Sequence, residues 1–288
     1  DLNNNIKMQS CHIMKPGSVT KMLLGNVIWQ LQENGDIKIE NLISEYVPDI
    51  ASKITNGNKI TVEMLMNHTS GIYPIARDLE YNLAVVNNFT KSWNAEEIIK
   101  YFENKPATNE PGEKYYYCNT NTLILELIIE TITEKPLEEV LNDRIFIPLN
   151  MNNTVYYDYS EKFPKPNLAQ GYFDFHNDGG SIQNISDLNP GSGNGYTGLY
   201  SNAEDMYKFA KAVFIDYSLI SENSLNQILN SFFFSESGKH ASSSGSIHRQ
   251  DIDFFGDSII AYGHSGGDIG YSSNLTYIPM YNTILVLS

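Results

Sequence analysis

Cysteine is scarce, with two in 288 residues, Cys11 and Cys118. They could pair, but two do not make a disulfide framework, and no CxxC or zinc-ligand spacing occurs. Positive charge is also thin. Lys+Arg number 19 against 34 Asp+Glu, a formal net charge of −15, with no basic cluster. Nucleic acid needs its phosphates neutralised, so this composition argues against it as a partner, and equally against a polybasic hold on anionic lipid. No run approaches the roughly eighteen apolar residues of a membrane span, and no signal-peptide pattern opens the chain. The six histidines are scattered without HExxH spacing, so no metal or other cofactor is called for. Gly191-Ser192-Gly193-Asn194-Gly195 lacks the Gly-Lys-Ser/Thr ending of a phosphate cradle and reads as a loop.

Apolar residues make up 41% and aromatics 12% of the chain, enough for one large domain or two interleaved ones. The stretch Lys15-Pro16-Gly17-Ser18-Val19-Thr20-Lys21 stands out. Val19, Leu23, Val27 and Leu31 then recur every four residues, with Met22, Leu24 and Ile28 alongside, which predicts a buried helix from Ser18 closed by Gly35. Ser18 and Lys21 fall at i and i+3 of its first turn, on one face. Serine there is a common helix cap; beside a lysine it is also a candidate nucleophile next to a proton acceptor.

Downstream, Ile37 to Pro48 is a short apolar segment that stops at Pro48. Short helices are expected at Thr61–Asn67, before His68-Thr69-Ser70-Gly71, and from the Asn94/Glu97 capping box through Phe102. Longer ones follow at about Asn121 to Thr133 and Pro136 to Phe146. Loops and a small hairpin fill Asn150 to Gly198. Ser201 and Glu204 read as a capping box opening a helix over Ala203 to Ile215, and another helix spans Ser221 to Phe232. The Gly/Ser-rich Ser237 to Ser246 reads as an exposed loop. Ile252 to Ile260, Asp268 to Tyr277 and Asn282 to Leu287 read as sequential antiparallel strands. The expected architecture is α+β: residues 1–60 and 236–288 form a sheet part with the Ser18 helix, and residues 61–235 form a mostly helical part. A cleft between the two is the expected pocket.

Two more patterns carry chemistry. Tyr117-Cys118-Asn119 follows the stiff loop Asn109-Glu110-Pro111-Gly112 and precedes a helix; it reads either as a buried tyrosine with a helix cap, or as a pair facing a cleft. His264-Ser265-Gly266-Gly267 stands where a terminal strand should begin, and reads either as a tight turn or as backbone that approaches a ligand closely. A tyrosine serves as a base only where nearby positive charge, such as Lys21, favours its phenolate. Acyl transfer further needs N–H donors for an oxyanion, and a helix start and a strand edge can supply them.

With these elements placed, the chain resembles the serine β-lactamase and penicillin-binding superfamily. It looks closest to the class C-like branch that includes D-alanyl-D-alanine carboxypeptidases, D-amino-acid peptidases, esterases and β-lactamases. The family's first motif falls on Ser18-Val19-Thr20-Lys21, its Tyr-x-Asn motif on Tyr117-Cys118-Asn119, and its third motif on His264-Ser265-Gly266. Leu65 to Ile72, Glu110-Pro111-Gly112, Ile147 to Met151, Gly198 to Asp205 and Gly266 to Tyr271 are also family-like. The resemblance implies a β-lactamase-like serine hydrolase fold, an antiparallel sheet packed by helices, from which the N-terminal strands and the C-terminal helix of the family pattern are missing in this sequence.

The same resemblance implies an acyl-enzyme mechanism without a cofactor, acting on a D-alanyl peptide or related amide. A small-molecule ester or a β-lactam is the alternative substrate, and a non-catalytic sensor or binding module is the rival function. It implies Ser18 as nucleophile, Lys21 as proton relay and Tyr117 as general base, with Asn119 orienting the substrate and Lys21. His264 would bind a substrate carboxylate or polarise the hydroxyl, and Ser265, Gly266 and Gly267 would line the substrate. The backbone amides of Ser18 and Gly267 would form the oxyanion hole. The implied location is periplasmic, secreted or envelope-associated.

Overall fold

The computed structural model describes residues 4–89, 91, 93–156, 167–177, 179–180, 182–187, 194–238, 240–254 and 257–288. The expected loop at Gly191-Ser192-Gly193 lies outside them. The helices are α1 (Thr20–Asn34), α2 (Pro48–Ala51), α3 (Val62–Met66), α4 (Leu79–Val86), α5 (Ala95–Ile99), α6 (Asn119–Thr133), α7 (Leu137–Leu141), α8 (Ala203–Phe214) and α9 (Glu222–Asn230). Of the strands, β1 (Val155–Tyr156) pairs with β4 (Leu199–Tyr200), and β2 (Tyr172–Asp174) with β3 (Ile182–Asn184). The rest are β5 (Phe233–Phe234), β6 (Ala241–Ser242), β7 (His248–Phe254), β8 (Asp257–Asp268), β9 (Tyr271–Ile278) and β10 (Thr283–Leu287). They form one antiparallel sheet ordered β10-β9-β8-β7-β6-β5. This is an α+β fold in which a C-terminal sheet packs against helices, with a large helical insertion between the first helix and the sheet.

The helix after Ser18 forms as its spacing dictates, but it starts differently. Gly17–Val19 is a 3₁₀ turn, and α1 runs from Thr20 until Gly35, whose left-handed φ of 82° ends it. Val19, Leu23, Val27 and Leu31 are all buried, and so are Met22, Leu24 and Ile28 on the other faces. An all-round apolar helix belongs at the centre of a core, and α1 lies there beside Leu123, Ile124 and Ile128 of α6. In the same core α8 packs on β9, with Phe214 stacked on Tyr277 at 4.9 Å. Among the described residues no helix is long and apolar enough to cross a membrane.

Several expected boundaries move, each for a local reason. Pro48 opens α2 rather than ending a segment, since its fixed φ suits a first helical position. Asn202, not Ser201, caps α8: its side chain accepts from the Asp205 amide at 2.8 Å, while the Ser201 hydroxyl shares a 2.7 Å bond with Thr154. The helix expected to run to Phe146 is α7 followed by a π turn over Asn142–Phe146. The sheet begins earlier, with β5 and β6 before the expected strands, His248 rather than Ile252 opens β7, and His264 lies within β8 instead of at a strand start.

The Gly/Ser stretch is the largest departure. Residues 237, 238 and 240 are exposed as expected, but residues 241–247 are buried. Gly25 of α1 lies so close that a Cβ there would sit 2.3 Å from the Gly245 carbonyl oxygen, and Trp29 Nε1 donates to the Ser244 carbonyl at 2.8 Å. Small residues here let backbone pack on a helix, and the hydroxyls are satisfied internally, as in the 2.8 Å Ser231–Ser244 pair.

Candidate active site

Four pieces of chain meet where the 3₁₀ turn before α1 touches β8. Gly17 has φ +56°, a left-handed value that disfavours any side chain. A Cβ on it would lie 2.6 Å from the Gly267 carbonyl oxygen. The Pro16 carbonyl accepts from Ser273 Oγ of β9 at 2.7 Å and from the Val19 amide at 3.3 Å. The turn is thereby tied to both strands of the β8–β9 hairpin, and Ser18 is left half-buried at its surface. Ser18 does not cap α1: the cap is Val19, without a side-chain bond.

Lys21 is 0% exposed, and its Nζ lies 3.0 Å from Ser18 Oγ and 2.9 Å from the Tyr196 carbonyl oxygen. Burial without a carboxylate lowers its pKa to about 7. With the amine neutral, one N–H serves the Tyr196 carbonyl and the lone pair is available to the Ser18 hydroxyl. The Ser18 side chain also hydrogen-bonds the Tyr117 phenol, and Lys21 Nζ stands 5.2 Å from the centre of the Tyr117 ring. Burial pushes the Tyr117 phenol well above the usual range, against the opposing pull of that bond. The expected reliance on Lys21 charge to make a phenolate is therefore weak here.

Asn119 begins α6 without capping it, and its Oδ1 is buried with no hydrogen-bond partner among the described residues. It does not hold Lys21; the Tyr196 carbonyl does. Sequence reasoning had no signal for Tyr196, because it acts through its backbone.

Three imidazoles surround Tyr117. The ring of His68 lies at 4.5 Å, that of His248 at 5.9 Å and that of His264 at 6.1 Å. His264 Nδ1 stands 2.5 Å from the Ser265 carbonyl oxygen, which can only accept, so Nδ1 carries the hydrogen and Nε2 is a lone pair. His68 is the reverse: the Cys118 amide donates to Nδ1 at 3.3 Å, so the hydrogen sits on Nε2. Burial, with the neighbouring imidazoles and Lys21, holds His264 and His68 well below the usual imidazole range, and His248 at about 4. Among the described residues no group of three or more His, Cys, Asp or Glu is placed to hold a metal ion. His248 went unnoticed in the sequence because only the pairing of β7 with β8, which sets it opposite Gly263, brings it here.

The arrangement combines a half-buried hydroxyl that meets both a neutral-leaning amine and a phenol, beside backbone amides on a turn and a strand. Such a set can move a proton off the hydroxyl and hold a developing oxyanion.

Comparisons with known proteins bear on the family and the fold. The family model described as Beta-lactamase matches residues 1–288. The chain is 32% identical over 212 residues to a putative penicillin-binding protein, PbpX, of Bacillus subtilis, covering 74% of this chain and 49% of that protein. It is 28% identical over 234 residues to a teichoic acid D-alanine hydrolase of Staphylococcus aureus, covering 81% and 53%. It thus spans about half the length of these relatives. In fold it is similar to a D-stereospecific amidohydrolase from Streptomyces, with a TM-score of 0.86, 23% identity, and coverage of 96% of this chain and 81% of that one.

Proposed function

From the premise that this chain belongs to the Beta-lactamase family of serine hydrolases and penicillin-binding proteins, we propose that it forms an acyl-enzyme on Ser18 and hydrolyses a D-alanyl amide, peptide or ester. The observation that carries this reading is the 3.0 Å contact between Lys21 Nζ and Ser18 Oγ at a surface turn. The likeness to a teichoic acid D-alanine hydrolase supports the D-alanyl acyl group.

In this reading Ser18 Oγ attacks the acyl carbon while its proton passes to the Lys21 lone pair. The order of acidities favours Lys21 over Tyr117 as first acceptor, because the amine is pulled down to about 7 and the phenol is pushed up. The backbone N–H groups of Ser18 and Gly267 hold the carbonyl oxygen as it gains charge. Collapse breaks the bond to the leaving nitrogen or oxygen. That atom takes the Tyr117 proton, and Lys21 passes its own back to the phenol. Water then enters and the same groups run in reverse to free the acid. Asn119, with an unspent carbonyl oxygen, orients the substrate.

Turnover of D-alaninamide and D-alanine methyl ester, with the L-enantiomers as controls, tests the reading. Release of D-alanine by wild type but not by Ser18→Ala is the expected result. Rapid hydrolysis of a penicillin without D-alanyl turnover would make it a β-lactamase. Tight binding without turnover of any of these would make it a sensor.

A further inference from the structure

His248 has no role in the reading above, yet it forms the tightest ring contact at the site. Its imidazole stacks on that of His264 at 3.9 Å with 29° between planes, and it meets the Tyr117 ring edge-on at 5.9 Å. The Nε2 atoms of both histidines are buried and have no hydrogen-bond partner among the described residues. His264 is 2% exposed, and its one N–H is spent on the Ser265 carbonyl. What it offers a ligand is a lone pair.

We infer that the stacked His248–His264 pair recognises an uncharged leaving group carrying an N–H or O–H, and that His248 is the residue that sets this specificity. The inference rests on the D-alanyl hydrolase reading and narrows it. The groups facing His264 are Lys21 of α1, His68 after α3, Tyr117 before α6 and His248 of β7. None is a carboxylate that would stabilise an imidazolium. A proton on His264 would make a cation 3.9 Å from a second imidazole and close to Lys21, which burial makes unfavourable. His248 in turn faces Lys21 and His240, again without a carboxylate, so the pair stays neutral. A leaving group ending in a carboxylate would set its oxygens against the His264 Nε2 lone pair, and an amide N–H or an alcohol O–H would donate to it. His248 acts by filling the space over His264, excluding water and opposing its protonation.

The test compares two substrates that differ only in charge on the leaving side, D-alanyl-D-alanine and D-alanyl-D-alaninamide. At pH 7.5 the wild type is expected to favour the amide by about tenfold or more in kcat/KM, as a site with unpaired polar groups discriminates. His248→Ala opens the stack to water, raises the His264 pKa and should cut that preference about tenfold at pH 6 while moving the acid limb of the pH profile upward. His248→Phe keeps the stack and should retain the preference, with circular dichroism checking the fold of both. Preference for D-alanyl-D-alanine by the wild type overturns the inference and leaves the D-alanyl reading standing. An unchanged ratio and pH profile in His248→Ala overturns the role of His248. Turnover of neither substrate overturns the inference, and turnover of D-alaninamide or D-alanine methyl ester then decides separately whether the D-alanyl reading survives.

Discussion

Gly17 and Gly267 lie backbone against backbone: a methyl group added to Gly17 would sit 2.6 Å from the Gly267 carbonyl oxygen and 2.8 Å from its nitrogen. The nucleophile turn and the strand expected to supply an oxyanion donor are therefore one packed unit. Gly17→Ala should push them apart and add left-handed strain, at a cost of about 1–3 kcal/mol. Thermal melting reads the stability loss. The acylation rate of the folded fraction should fall further, since a lost oxyanion donor typically costs about two to three orders of magnitude.

Lys21 sets the acid side of the pH profile. Its amine can take the Ser18 proton only when neutral, and burial brings its pKa to about 7. The acylation rate should thus rise with pH through about 7. Lys21→Arg, permanently charged, should lower kcat/KM by at least about a thousandfold. Pre-steady-state acylation across pH 5 to 9 checks both.

The same burial has a stability consequence. The folded pKa of Lys21 is depressed below the unfolded value, so the unfolded chain binds more protons between about 7 and 10.5 and stability rises with pH across that window. Lys21→Met removes the charge-burial penalty along with the bonds to Ser18 and Tyr196. It should melt higher than wild type at pH 6, by on the order of 1–3 kcal/mol, while losing acylation.

Tyr117→Phe should reduce kcat/KM by roughly 10²–10⁴ with little change in melting temperature, as removal of a proton-transfer group does. Because its phenol is held far up by burial, no alkaline limb below pH 10 should come from Tyr117, and the profiles of wild type and variant should have parallel acid limbs. Steady-state kinetics against pH checks this.

Ser273→Ala leaves the buried Pro16 carbonyl without its 2.7 Å donor. That should cost about 1–3 kcal/mol. It should also slow acylation, although Ser273 itself belongs to β9 and not to the reacting groups. Urea denaturation and a burst assay separate the two effects.

Local chemistry was readable from the sequence, and long-range assembly much less so. Ser18 and Lys21 share a face because they lie three positions apart, whatever the rest of the fold does. Asn94 was legible as a cap because a side chain and an amide three residues on decide the matter. His248 was not legible, since its place beside His264 follows from strand pairing across more than a dozen residues. The Gly/Ser stretch misled because small residues mark both exposed loops and tight backbone packing, and only the partner, here Gly25, tells which. Tyr196 contributes a carbonyl, which every residue owns.

The central claim is that Ser18 takes an acyl group because Lys21 can remove its proton and Tyr117 can hand one to the leaving atom. Intact mass after incubation with a fluorophosphonate, followed by peptide mapping, tests it most directly. The account predicts one adduct per wild-type chain, mapped to Ser18, slowed strongly in Lys21→Met and absent in Ser18→Ala. An unlabelled wild type, or equal labelling of Ser18→Ala, would contradict it.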